Sequence, residues 1–259
     1  MQKHYHRRLV LLQFIHRLNH NMKKVLFCFS FILYAQLINA QLFNKERIKN
    51  NVDNIDQQLL SWGYFIGINS HDFNFDYEND IADVQVIKST GFNVGLIGNL
   101  KINKFIDLRI EPGLSVNTRE LNFSPLNFEG LNFNDQDLIR EVQSTYIHIP
   151  LLLKFSTKRL NNFKPFIIGG FSTAFNLSSN EDNINDNSSG QFRTATNVFF
   201  YELGVGIDFY FPWFKFSPSI RGIFGIDDEL VRDLDPNSPW TGNIESLQTR
   251  GIFVNITIQ

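Results

Sequence analysis

Cysteine is almost absent from this chain: Cys28 is the only one in 259 residues. It lies inside the apolar run 25–38, so the sequence beyond residue 40 offers no disulfide framework and no thiol chemistry. Phe27 stands before it, where a lipoprotein signal needs a small residue, and this argues against a lipid anchor. Histidine is nearly as scarce past that point. His71 and His148 alone do not make a metal site, which needs more convergent ligands. A spanning helix needs about 20 apolar residues, and the run 25–38 (VLFCFSFILYAQLI) falls short of it. A mean hydropathy of −0.16 excludes a bundle of membrane helices. A basic excess is missing too. Six of the 24 Lys and Arg precede residue 41, which leaves 18 against 26 Asp and Glu. That net charge of −8 argues against nucleic acid as a partner.

What is present first is a targeting segment. Met22-Lys23-Lys24 opens a basic region, the run 25–38 follows, and Ala40 supplies the small residue behind which signal peptidase cuts. The expected organisation is therefore an over-extended start at 1–21, a cleaved Sec signal peptide at 22–40, a periplasmic lead-in at 41–58 and one domain at 59–259. A long basic n-region is the rival reading of 1–21. In the lead-in, Ile48, Val52, Ile55 and Leu59 recur at helical spacing, which fits a short amphipathic helix or a solvated segment.

The domain is built from alternating segments, and 105–119 (FIDLRIEPGLSVNTR) is the clearest. Ile106, Leu108, Ile110, Pro112, Leu114 and Val116 share one parity, while Asp107, Arg109, Glu111, Gly113, Ser115, Asn117 and Arg119 share the other. Side chains of a strand alternate between faces, so this strand has one apolar and one charged face. Similar alternation marks 62–71, 91–103, 146–155, 198–211 and 214–226; 166–177 is apolar on both parities near Ile167 and Ile168, and 249–259 closes the chain. Connections alternate between short (103–104, 157–164, 212–213) and long, Asn- and Asp-rich ones (72–89, 120–144, 178–197, 227–247). With 14% aromatic residues, 27 of them Phe, the pattern predicts an all-β, membrane-spanning, antiparallel up-and-down barrel of about eight strands. Its short turns are periplasmic and its long loops outside, in the outer membrane of a Gram-negative cell. Trp62, Tyr64, Trp213 and Phe214 fall near the periplasmic strand ends, where aromatic girdles form. A soluble lipocalin-like barrel is the rival fold, with the opposite parity.

An eight-stranded barrel is wide enough only for its own side chains. The inward parity holds Lys101, Asp107, Arg109, Glu111, Arg119, Lys154, Glu202, Asp208, Lys215 and Arg221, and charges of both signs there are expected to pair. This predicts a salt-bridged structural core rather than a conduit. His148 is expected inward, His71 at a rim. Thr249, Gly251, Val254 and Ile256 resemble the polar-x-Gly-x-x-apolar-x-apolar signal that terminal strands present to the barrel assembly machinery, although the chain ends in Gln259.

Catalytic motifs do not accumulate. Gly204-x-Gly206 lies within a strand and lacks the third glycine and helix of a dinucleotide site. Residues 170–174 (GFSTA) lack the last glycine of a nucleophile elbow. The loop 180–187 (NEDNINDN) is rich in oxygen ligands without EF-hand spacing, and reads as solvated. No enzyme, cofactor or metal is expected.

The stretches 62–73 (WGYFIGINSHDF), 91–121 (GFNVGLIGNLKINKFIDLRIEPGLSVNTREL) and 146–170 (YIHIPLLLKFSTKRLNNFKPFIIGG) resemble the PorT family, called SprT in gliding bacteria. The resemblance covers nearly all of 59–259, and the GYFIGIN…DF opening points to that family in particular. It implies an accessory outer-membrane component of the type IX secretion system, which exports proteins bearing a C-terminal sorting domain. Expected partners are outer-membrane lipid and other secretion-system components. The family contributes no catalytic residues. The alternatives are a general small barrel for surface binding or membrane stabilisation, and a lipid-modifying barrel enzyme.

Overall fold

A computed structural model describes residues 58–79, 82–183 and 192–259. The expected extension, the signal peptide, nearly all of the lead-in and part of the loop 180–187 lie outside the described residues. Ten strands form one antiparallel sheet: β1 (Leu60–Tyr77), β2 (Gln85–Lys88), β3 (Gly91–Lys101), β4 (Ile106–Ile110), β5 (Gly113–Asn122), β6 (Ile139–Ser156), β7 (Phe163–Asn176), β8 (Asn197–Tyr210), β9 (Lys215–Gly225) and β10 (Ile244–Ile258). The sheet closes because β1 pairs with both β10 and β3. Closure leaves no open edge across the waist of the barrel.

Ten strands make eight staves. β2 and β3 both pair with β5, and the register slips by one residue between Lys88↔Arg119 and Phe92↔Val116, so they form a single stave with a bulge at Ser89-Thr90. β4 and β5 keep one register against β6, from Ile110↔Leu151 to Gly113↔His148. Their ladder is interrupted because Pro112 has no amide hydrogen to give. The strand count thus exceeds the expected eight through two local breaks, while the barrel is of the expected size.

The short turns carry recognisable local chemistry. Asn103 Oδ1 accepts from the amides of Phe105 (2.7 Å) and Ile106 (2.9 Å), an Asx-type closure of the β3–β4 hairpin. Asn161 takes a φ of 52° in the β6–β7 turn, a conformation that asparagine tolerates. The β8–β9 turn closes with Phe211 N donating to Phe214 O.

Polarity inverts along single strands. On β1 the outward side chains are Trp62, Tyr64, Ile66 and Ile68, all more than half exposed, and then Ser70, Asp72, Asn74 and Asp76. The inward ones run from Ser61 and Asn69 to Phe73, Phe75 and Tyr77. β6 does the same, with Ile147, Leu151, Leu153 and Phe155 outward below Glu141 and Gln143, and Val142 inward above His148 and Lys154. Below the inversion lies an apolar belt of about the 9–11 residues that a tilted spanning strand needs. Above it the strands obey the ordinary rule of a water-bathed sheet, apolar in and polar out.

One expectation needs correction here. The strands overrun their expected ends at the long-loop side: β1 continues to Tyr77, β6 begins at Ile139 and β10 at Ile244. The parity test for lipid-facing strands loses track of them where the apolar parity changes face. The long loops, Asn- and Asp-rich in composition, also contribute apolar side chains. Phe73, Leu121, Phe123, Phe128, Val142, Phe192, Leu230, Ile244 and Leu247 are buried together as a second apolar core over the outer end of the barrel. Burying one such side chain contributes about 1.5–3 kcal/mol, enough to order loops whose composition is polar. Cross-loop bonds lock this cap: Arg193 pairs with Asp233 at 3.2 Å, and Trp240 Nε1 donates to the Asp137 carbonyl at 3.0 Å.

Candidate functional site

Buried charged side chains converge in the barrel interior, where they form three levels. At the middle level, Glu111 of the β4–β5 break accepts from Arg109 Nη1 (3.2 Å) and Arg221 Nη1 (2.8 Å). Arg221 Nε lies 3.0 Å from Glu202 Oε2, and Glu202 Oε1 lies 2.8 Å from His148 Nε2. His148 also contacts Ser172 Oγ at 3.0 Å, and Arg109 Nε donates to Asn99 Oδ1 at 3.1 Å. Arg109, Glu111, Glu202 and Arg221 are buried, and their two positive and two negative charges cancel. Buried charges persist only when paired and hydrogen-bonded in this way.

The lower level, toward the short turns, centres on Lys154, whose Nζ donates to both Asp208 oxygens at 2.8 and 2.6 Å. Ser217 Oγ donates to the same carboxylate at 2.6 Å, and Lys154 sits 4.0 Å from the Phe166 ring centroid. Lys101, Asp107, Lys164 and Lys215 line the mouth just beyond.

The upper level joins barrel to cap. Arg119 donates to Thr249 Oγ1 (3.1 Å) and Ser144 Oγ (2.7 Å), with its guanidinium 3.7 Å over the Phe73 ring. Thr249 in turn donates to Glu229, from N to Oε1 at 2.7 Å and from Oγ1 to Oε2 at 2.9 Å. Glu229 lies in the β9–β10 loop, fully buried; burial outweighs the nearby Arg119 charge and pushes its carboxyl up from 4.5 to about 7.

The sequence-derived interior set is therefore brought together almost entire. Arg109, Glu111, Lys154, Glu202, Asp208 and Arg221 form the networks described; Arg119 uses hydroxyls and an aromatic face; Lys215 is buried at the mouth. Lys101 and Asp107 line the mouth of the lumen half-buried, where their staves end. His71, expected at a rim, is buried between Phe253 (5.5 Å) and Tyr146 (5.9 Å), because β1 continues six residues past it. Of the expected assembly signal, Thr249 and Gly251 sit on the inward parity of β10, while Val254 and Ile256 face outward and are 41% exposed. Sequence reasoning missed Lys164 and Glu229. Carrying the β7 parity two residues back from Phe166 finds Lys164, whereas nothing in the loop pattern marks Glu229.

Packing at the waist is equally constrained. A Cβ on Gly95 or Gly113 would stand 2.6 or 2.7 Å from the Phe65 ring, so both positions must be bare for that ring to cross the lumen. Among the described residues, no group of three or more His, Cys, Asp or Glu converges as a metal site would, and no helix is long and apolar enough to cross a membrane.

A family model described as an outer membrane protein beta-barrel domain matches residues 39–231. No curated relative matches the sequence. Among solved structures the chain is similar to OprG from Pseudomonas aeruginosa, at 9% identity over 77% of this chain and 92% of that one, with a TM-score of 0.39. It is similar to Neisserial surface protein A at 8% identity over 78% and 99%, TM-score 0.38. It is also similar to Ail of Yersinia pestis at 11% identity over 76% and 96%, TM-score 0.34.

Proposed function

This chain belongs to the outer membrane protein β-barrel domain family, and from that premise we propose that it is a structural, non-conducting accessory barrel of the type IX secretion and gliding machinery with no chemistry of its own. The observation that carries the structural part is the filled lumen. Three levels of ion pairs and hydrogen bonds occupy the barrel, and an apolar core lies over its outer end. A barrel so filled passes neither protein nor solute, and acts through its surfaces. The assignment to type IX secretion rests on the PorT resemblance of 62–73, 91–121 and 146–170. Thr249, Gly251, Val254 and Ile256 serve as the signal for insertion of the barrel. Deletion of the gene followed by proteomics of medium and cell surface tests the reading. Retention of sorting-domain proteins inside the envelope, reversed by complementation, supports it; unchanged export refutes the secretion role.

One observation favours the second reading, a barrel that binds at the cell surface. Leu126 (53% exposed), Leu131 (53%) and Phe133 (41%) leave apolar side chains on the outside of the ordered cap. Loss of surface adhesion with normal export in the deletion strain is the outcome that selects it.

A further inference from the structure

The apolar belt carries a depression over β7, β8 and β9. Phe155, Ile167, Val205, Ile220 and Val254 stand side by side across β6 to β10, in register and facing outward. In the row toward the cap, Gly169 and Gly222 flank Leu203 without side chains of their own. In the row toward the short turns, Pro165 and Pro218 keep the surface low on either side of Ile207, and Pro218 has no amide for β8. The result is an apolar groove of about 850 Å³ over β7, β8 and β9. A second hollow of about 520 Å³ shares Phe155, Ile167, Val205 and Ile220 with it and extends over Gly169, Leu203 and Gly222. These volumes lie in the range of small-molecule sites, roughly 300–1,000 Å³.

The groove is not apolar to its end. Its lining continues through Ser156 into Thr157, where the β6–β7 turn begins. Lys158 follows, exposed and without an ion pair among the described residues, in a chain whose acids outnumber its bases beyond residue 40. An apolar slot whose lining ends at Thr157, one residue before an exposed lysine of the turn, matches an amphiphile with an anionic head. A spanning segment of another protein would meet only the apolar part and leave this charge unused.

We propose that the groove is a specific site for one anionic phospholipid of the periplasmic leaflet, with an acyl chain against Val205 and Ile220 and the phosphate at Lys158. The short turns and both ends of the barrel domain lie on this side, which places Lys158 at the periplasmic leaflet. This inference is independent of the secretion reading, since it requires only that the barrel stand in the outer membrane.

Native mass spectrometry of the whole mature protein, released from bilayer discs containing phosphatidylglycerol and phosphatidylcholine, tests it. The wild type retains one phosphatidylglycerol in preference to phosphatidylcholine. Val205→Trp and Ile167→Trp, which fill the groove from its lipid-facing side, each weaken that retention about tenfold or more, the equivalent of about 1.4 kcal/mol. Lys158→Ala keeps a bound lipid and loses the preference between the two headgroups. Both tryptophan variants face lipid rather than the packed interior, and heat-modifiable migration in gels confirms that each is folded. Equal retention by wild type and Val205→Trp, or no preference between headgroups in the wild type, overturns the proposal. So does efficient disulfide cross-linking of two copies through Ile220→Cys, since a second chain then occupies the groove.

Discussion

Removing the carboxylate of Glu202 is the sharpest test of the interior network. Its two oxygens lie 3.0 Å from Arg221 Nε and 2.8 Å from His148 Nε2, and the residue is wholly buried. In Glu202→Gln, Arg221 keeps Glu111 at 2.8 Å, but Glu111 is shared with Arg109 at 3.2 Å, so two buried guanidinium groups face one carboxylate. Two unit charges about 4 Å apart attract by about 4 kcal/mol at an effective dielectric constant of about 20. Breaking one partner from a buried pair costs about 3–5 kcal/mol in proteins generally. Both routes lead to a loss of about 3–5 kcal/mol in Glu202→Gln, read from the shift in urea unfolding midpoint in lipid vesicles followed by tryptophan fluorescence. The double variant Glu202→Gln/Arg221→Met restores charge balance, leaving Arg109 paired with Glu111, and should recover most of that loss, because no uncompensated buried charge remains. A single-variant loss below about 1 kcal/mol, or a double variant as unstable as the two singles combined, would refute the view that paired charges fill this barrel.

The remaining predictions concern the cap and the lumen. Glu229 has its carboxyl raised to about 7, so the folded chain binds more protons than the unfolded one between about pH 4.5 and pH 7. Its contribution to stability is full below about pH 4.5 and is lost as pH rises through about 7. Hydrogen exchange in the β9–β10 loop should therefore quicken from pH 5 to pH 8 beyond the intrinsic rate, and Glu229→Gln should abolish that excess; Arg119, Asp227 and Tyr146 are the titratable neighbours held constant. Phe73→Ala or Leu247→Ala, at side chains buried in the cap core, should cost about 2–5 kcal/mol locally. Protease added to whole cells should then cut the outer loops while the barrel core stays intact, and unchanged protection would count against a packed cap. In planar bilayers the purified protein should give no steady conductance steps, since its lumen is filled; reproducible channels would overturn the closed-barrel reading.

Much of this architecture was legible before any coordinates. Period-two alternation in 105–119 separates apolar from polar side chains, and the structure buries Arg109, Glu111, Ser115, Asn117 and Arg119 on one face, because lipid outside a barrel forces strict segregation of polarity by face. The alternation of short and long connections puts the start of β1, the end of β10 and the short turns at one end of the barrel. Where the surroundings change from lipid to water, that rule reverses, so the alternation marks β1 only to His71 while the strand continues to Tyr77. Residues 166–177 were apolar on both parities because Phe166 and Ile168 pack inward on Leu152, a small apolar patch within an otherwise polar lumen.

Sequence alone thus determined the kind of protein: a β-barrel with one apolar and one charged face, eight staves and a filled interior. Those features follow from side-chain direction along a strand, which is local. The tertiary structure decided which charges meet. Glu111 finds Arg221 across 110 positions of sequence, and Arg119 reaches Thr249 across 130, because closing the sheet turns the inward faces of non-adjacent staves toward one another across a narrow lumen. It also decided that the loops carry a core of their own and that a loop glutamate is buried at the neck. No local pattern specifies such contacts, since they depend on register around the whole circumference and on which distant apolar side chains are left to cover one another.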